Sequence, residues 1–414
     1  MKIALLNWST GQNDPFTPFN EKLKFEFERC GRDAVLIPLD SSLYQSISRL
    51  KEEGLDFAIT WQGLGSQICR QNTPQTIWDE LKIPLFCLHG DHPSDQIDNH
   101  RADSSYIRHL YSAGSFGLYA NRHLPRTQAA LMFKPPVLHT KKLRDKPDGE
   151  YFVLAKNIND VNATLDAWKT RCDPTLFDFL ATCVTDILNS LNSGRVTDHH
   201  AIVDDVLKSD DFIEKTAPLF SSSAGKTFIH TVHSFINYTY RDIISERILQ
   251  EMHDFPINIY GNGWSRYAAK KNPKHQFFPG QSAGNSESLY YSKFGILDVA
   301  PAFDCLHDRT LRAVECGTSF LVVGSHWPHA NLMGVNSGDV MFGDKMPCLP
   351  EKAEGIVRDP DAHLDKCRVF GDNYRRWAPH FELLRTLELL RAQLVEMPSR
   401  QSTDYRATSA YTFR

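Results

Sequence analysis

Apolar and polar residues change rhythm repeatedly along the first 120 positions, and that change predicts the fold. Short apolar runs at 2–7, 34–38, 57–61 and 83–88 are too brief for helices and read as buried strands. Between them, residues 19–30 and 42–53 have helical character, with Gly31 and Gly54 placed to end each helix. Residues 74–81 form a third helical segment. Such strand–helix alternation builds a parallel sheet with helices on both faces. Residues 116–119 read as one more strand. Residues 133–137 read as a domain exit, because Pro135 and Pro136 continue neither a helix nor a central strand.

The pattern then becomes helical, at 159–169, 175–191, 199–208 and 228–252, with no evident strand between 150 and 250, which reads as a helical insert or as the first layer of a second domain. Alternation returns with strands at 257–260, 294–299 and 320–323 and short helices at 286–292 and 309–316. A long helix over 372–393 closes the chain, and a polar tail begins at Pro398. The expected architecture is α/β: two Rossmann-like domains facing each other across a cleft, with a helical insert and a C-terminal closing helix. The expected divisions are 1–140 for the first domain, 141–250 for a helical segment leading into the second, 251–397 for the second domain, and 398–414 for the tail. Ligands of such sheets sit at the carboxyl ends of the strands, so the cleft is the expected site.

Composition narrows the function. At 414 residues the chain exceeds one ordinary core. Its 46 basic and 50 acidic residues leave a charge of −4, which argues against nucleic acid as the main partner. No run reaches the roughly 18 apolar residues of a membrane span, although peripheral membrane contact stays compatible. The start lacks the features of a secretory signal. The nine cysteines are scattered without a CxxC, as expected of free thiols in the cytoplasm rather than a zinc or disulfide framework.

Several segments carry candidate chemistry. His89, Asp91 and His92 follow the strand at 83–88, three titratable groups within four residues. Asp91 is the candidate base toward an acceptor hydroxyl, with His89 and His92 as alternates; Asp91 could equally cap the next segment. Trp61 and Gln62 follow the third strand and could stack on or bind a sugar. Gly261 and Gly263 follow the strand at 257–260, where missing side chains let a phosphate or sugar approach, or simply allow a tight turn. His307, Asp308 and Arg309 stand where a loop enters a helix, so backbone N–H groups, the helix dipole and a guanidinium could hold an anion. Lys293 would add a cation. Glu315, eight residues past His307, could accept hydrogen bonds from ribose hydroxyls. Residues 223–227 resemble a P-loop's end, but Phe220 stands where its first glycine belongs. His230 and His233 lie three apart on a helix without an evident third ligand, and no DxD pair is placed to chelate a diphosphate-bound metal. No metal or cofactor is therefore expected.

Taken together, Ser292-Lys293, the short strand, Pro301, His307-Asp308-Arg309 and Gly317 resemble the CgeB-like (spore-maturation-protein-like) glycosyltransferases of the GT-B fold. His89-Gly90-Asp91-His92-Pro93 is similar to a D-H-P element of the same family. The His307–Glu315 interval is that of the E-x7-E element of related retaining enzymes, with His307 in place of the first Glu. The resemblance implies a metal-independent transferase moving a sugar from a nucleotide-sugar donor to a hydroxyl acceptor, a glycan, with a bacterial surface glycan the acceptor it implies. It places the donor at Gly261, Gly263, Lys293, His307, Asp308, Arg309 and Glu315. Two alternatives share the fold: a nucleotide-sugar epimerase, and a non-catalytic nucleotide- or carbohydrate-binding protein.

Overall fold

The computed structural model describes residues 1–8, 16–70, 75–124, 129–133, 149–193, 198–209, 212, 223–270, 272–279, 287–342, 346–377 and 379–396. Its strands form two six-stranded parallel sheets. The first has the order β2-β1-β3-β4-β5-β6, from β1 (Lys2–Asn7), β2 (Asp33–Pro38), β3 (Leu55–Trp61), β4 (Leu85–His89), β5 (Ile107–Tyr111) and β6 (Ala129–Met132). The second has the order β12-β11-β10-β7-β8-β9, from β7 (Phe152–Ala155), β8 (Ile257–Tyr260), β9 (His275–Phe278), β10 (Gly295–Val299), β11 (Phe320–Val323) and β12 (Met341–Phe342). Read from β9, the second order is that of a dinucleotide-binding sheet, and its direction reverses between β7 and β10. The protein has the GT-B architecture of two Rossmann-like domains across a cleft.

The helices are α1 (Thr17–Arg29), α2 (Leu43–Glu52), α3 (Ile77–Leu81), α4 (Gly114–His123), α5 (Val161–Arg171), α6 (Pro174–Asn192), α7 (His199–Lys208), α8 (Ser223–Glu251), α9 (Ser265–Ala268), α10 (Asp308–Cys316), α11 (Ser337–Val340), α12 (Leu349–Arg358), α13 (Pro360–Arg376) and α14 (Pro379–Glu396). Residues 116–119 belong to α4, not to a strand. Phe116, Tyr119 and Ala120 are buried together because intervals of three and four place them on one helical face.

The helical segment packs as a layer of the second domain and is not a separate insert. Phe179, Leu180, Cys183, Val203, Ile236 and Ile244 from α6, α7 and α8 share one core with β7, β8 and β10. Strand β7 lies at the centre of that sheet, pairing Leu154 with Leu297 on one side and Ile259 on the other. A division at residue 250 would cut through this core. The P-loop-like residues begin α8, and their side chains lie outside the described residues, as does the tail from 398.

The closing helix also differs from expectation. Pro379 cannot donate an N–H to the preceding turn, and the region divides into α13 and α14. Leu383, Leu384 and Leu387 of α14 pack with Leu23 and Phe27 in the first domain's core. Arg32–Glu388 at 2.7 Å and Arg391–Asp56 at 2.6 Å flank this contact. Residues 379–396 thus belong to the first domain. Among the described residues no helix is long and apolar enough to cross a membrane, and none of the nine cysteines is in a disulfide.

Leu387 is fully buried, so Leu387→Ala is expected to cost about 2–5 kcal/mol. Denaturant unfolding should show the loss in the transition that reports the first domain.

Candidate functional site

The second sheet reverses its order between β7 and β10, and it is at the carboxyl ends of the strands at such a reversal that sheets of this kind bind their ligands. Lys156 leaves β7 here. Asp298 lies within β10, and the N-terminus of α10 follows after a short loop. Asp298 is wholly buried and organises the mouth. Its Oδ1 lies 2.9 Å from His307 Nδ1 and accepts from Arg309 Nη1 at 3.3 Å. Its Oδ2 accepts from the Thr310 backbone N–H at 3.1 Å and hydroxyl at 2.6 Å. Burial alone would raise this carboxyl, but His307, Arg309 and Thr310 hold it far below the usual carboxylate range. His307 occupies the N-cap position without a side-chain cap bond. Asp298 does the capping from beneath.

The mouth is therefore not a bare cationic patch. Asp298 already supplies an anion to the helix N-terminus, and Asp308 lies 3.0 Å from His307 Nε2. Further cations come from other elements. Lys156 is buried at the end of β7, 2.7 Å from Asp242 on α8. Burial lowers its ammonium to about 8, Arg241 adds to the fall, and Asp242 opposes it. Arg241 on α8 has a buried Nε with no hydrogen-bond partner among the described residues.

Asp91 faces this group from the first domain. Its carboxyl is raised by burial, while Arg241, His307 and Arg309 pull it down and Asp308 pushes it up. All four belong to the second domain, so the acidic loop and the α10 mouth meet across the cleft. Gln62 donates to Asp91 Oδ2 at 2.8 Å. Gln62 itself takes a left-handed backbone, φ 53°, in the turn that leaves β3. It is placed to orient Asp91 rather than to stack on a sugar.

Other expected residues lie elsewhere. Trp61 is buried against Phe16, Phe19 and Phe133, and its Nε1 donates to Asn20. It points into the first core because alternate residues of a strand face opposite sides. His89 is buried against His100, His109 and Tyr111, with its Nε2 2.9 Å from His109 Nδ1. His92 is buried too, its Nδ1 2.6 Å from the Ser94 hydroxyl and its ring stacked on His200. Burial lowers both imidazoles well below their usual range. Lys293 precedes β10, at the amino end of the sheet, where it pairs with exposed Glu150 at 2.7 Å. It stands at the wrong end of a parallel strand to reach the mouth. Glu315 lies two turns down α10, 3.7 Å from Arg375 of α13.

Gly261 and Gly263 have φ of 133° and 90°. A Cβ at Gly261 would lie 2.4 Å from the Lys156 carbonyl oxygen, and one at Gly263 only 1.8 Å from that of Ile158. The close approach that demands glycine is made by the 156–158 loop, not by open ligand space.

Further bonds join the domains around the cleft. Asp304 accepts from the Ser115 N–H at 2.9 Å and hydroxyl at 2.6 Å, capping first-domain helix α4 from the second domain. Asp95 accepts from Ser234 at 2.5 Å and Asn237 at 3.1 Å on α8. Burial raises Asp95 to about 7. Beside it lies a cavity of about 370 Å³, lined by Ser94, Asn159, Trp168, Ser234, Phe235 and Tyr238 among others.

None of the protein families compared matches the chain, and no curated protein matches it in sequence. Two solved structures share its general form. One is Anabaena Alr3699/HepE in complex with UDP and glucose, 7% identical, with 94% of this chain and 99% of that chain covered and a TM-score of 0.45. The other is the same protein in complex with UDP, 8% identical, with 94% and 100% covered and a TM-score of 0.42. Likenesses this distant carry no argument about what this chain binds.

Asp298→Asn is expected to cost about 3–5 kcal/mol, the usual result of removing one partner from a buried charge network. Because the folded carboxyl titrates below the unfolded one, its stabilisation is present above about pH 3.9 and is lost on acidification. The variant should therefore lose part of the wild-type acid limb. Asp95 has the opposite sign. The folded state keeps a proton that the unfolded chain releases, so stability should fall as pH rises from about 4 to about 7. Denaturant midpoints across that range should show a shallower slope for Asp95→Asn.

Proposed function

We propose that the protein is a glycosyltransferase that moves a sugar from a nucleotide-sugar donor to a hydroxyl acceptor, as the resemblance to the CgeB-like enzymes implies. The observation that carries this reading is the meeting of Asp91, with its raised carboxyl, and the Arg241–His307–Arg309 group across the interdomain cleft. The nucleotide lies against the second domain at the β7–β10 crevice. Arg241, Arg309 and His307, with Lys156 behind them, stabilise the charge that develops on the departing phosphate as its bond to the sugar breaks. The Arg241 Nε, without a hydrogen-bond partner among the described residues, is a donor suited to that anion.

Asp91 takes the proton of the acceptor hydroxyl. A carboxyl raised by burial is a better base than an exposed one, and Gln62 holds it in place. The acceptor enters beside Asp95, where Trp168, Phe235 and Tyr238 offer apolar faces and Asn159 and Ser234 offer polar contacts. Such a mixture suits a sugar ring. The proposed chemistry routes no step through a metal, and a cytoplasmic role in polysaccharide assembly fits it.

A thermal-shift panel of nucleoside mono- and diphosphates should identify the donor base. A ligand at about 100 times its Kd should stabilise the fold by about 2.7 kcal/mol. Asp91→Asn should lower turnover by about 10²- to 10⁴-fold with donor binding preserved, whereas Arg309→Ala should weaken donor binding. Saturable nucleotide binding without sugar release from any donor would instead identify a binding protein. Interconversion of donors without acceptor would identify an epimerase.

A further inference from the structure

The domain interface holds a group of histidines that the proposed transfer does not use. His123 ends α4 in the first domain, Asp204 lies on α7, and His233 lies on α8. One donor atom from each falls within 4.8 Å of the other two. Asp204 Oδ1 is 3.8 Å from His123 Nε2 and 3.8 Å from His233 Nε2. Both Nε2 atoms are buried without a hydrogen-bond partner among the described residues, and His233 is completely buried. Two neutral imidazoles and a carboxylate turned toward one point, with both nitrogens unsatisfied, make a costly arrangement unless something fills it.

We propose that His123, Asp204 and His233 form a binding site for a first-row divalent cation of the zinc type, tying the first domain to the second. Imidazole and carboxylate are the usual donors for such an ion, at about 2.0–2.2 Å. Tetrahedral neighbours at those bond lengths lie about 3.4 Å apart, so the separations from Asp204 need close by only a few tenths of an ångström. The surroundings orient the ligands. His233 Nδ1 is 3.2 Å from His200 Nδ1, and a proton on His233 Nδ1 shared with His200 leaves the Nε2 lone pair facing Asp204. The second oxygen of Asp204 is held by Arg122. Burial keeps both ligand histidines neutral at neutral pH.

A neighbouring trio, His92, His200 and His233, is less suited. The His92 and His200 rings stack at 3.7 Å and 12°, so their in-plane lone pairs run side by side. The His123 and His233 rings are inclined by 47°, as converging ligands require. The sequence showed His230 and His233 three apart on a helix without a third ligand, and His230 Nδ1 lies 2.7 Å from the Tyr119 hydroxyl. The third ligand comes from another helix, which linear spacing does not reveal.

The test uses the untagged full-length protein, stripped with a chelator and dialysed against Co²⁺ or Zn²⁺. Wild type should retain one equivalent, show the visible absorption of Co²⁺ bound by nitrogen and oxygen, and rise in Tm with Zn²⁺. Asp204→Asn and His123→Gln alter partly exposed side chains, and both should lose the equivalent, the absorption and the rise in Tm while keeping the wild-type circular dichroism. His109→Gln, in a separate histidine group, should keep all three. The proposal is overturned if wild type retains no stoichiometric metal, or if either Asp204→Asn or His123→Gln keeps a full equivalent.

Discussion

A single buried carboxylate shapes the candidate site. Asp298 sits in a central strand between Leu297 and Val299 and beside Val322 of β11, where an unpaired buried charge would be strongly destabilising. Its partners are therefore fixed: a backbone N–H and a hydroxyl from Thr310, a ring nitrogen from His307 and a guanidinium from Arg309. The same bonds cap α10, set the angle at which it leaves the sheet, and present His307 and Arg309 at the crevice. Side chains that would otherwise sample many rotamers are arranged before any ligand arrives.

The two domains meet through polar contacts around an apolar seam. Tyr111, Phe116 and Ala120 of the first domain pack in one cluster with Tyr260, Leu306 and Trp327 of the second. Ser115–Asp304 and Asp95–Ser234 are further bonds between the domains. Asp91 is desolvated by this closeness, which raises its carboxyl, yet it also receives the fields of Arg241, His307 and Arg309. Burial that prepares a base and charges that tether it come from one juxtaposition.

Much of this was legible in the sequence. The alternation of short apolar runs and helices marked the first sheet, and the 308–316 helix was visible from its Gly317 cap and polar entrance. What escaped were elements whose signal lies in tertiary context. Strand β7 is only four residues long and stands before a long helical stretch, so Lys156 could not be placed at the cleft. Strand β5 carries Arg108 and His109, which break its apolar run. Asp298 left a trace, a lone acid inside Gly295–Val299, but its partners lie nine to twelve positions on. Arg241 left none, since an arginine on a long helix is ordinary until its neighbours are known. Lys293 and Trp61 were misplaced for one reason: sequence proximity to a strand does not say which end or which face a side chain takes.

The docking of α14 has a consequence for biosynthesis. Leu383, Leu384 and Leu387 complete a core whose other members lie within the first 133 residues. The first domain therefore cannot close as it leaves the ribosome. Its apolar surface must wait, uncovered, until the second domain has been made and residue 387 has emerged. The chain would then stay exposed to aggregation, and dependent on chaperones, throughout the synthesis of the second domain.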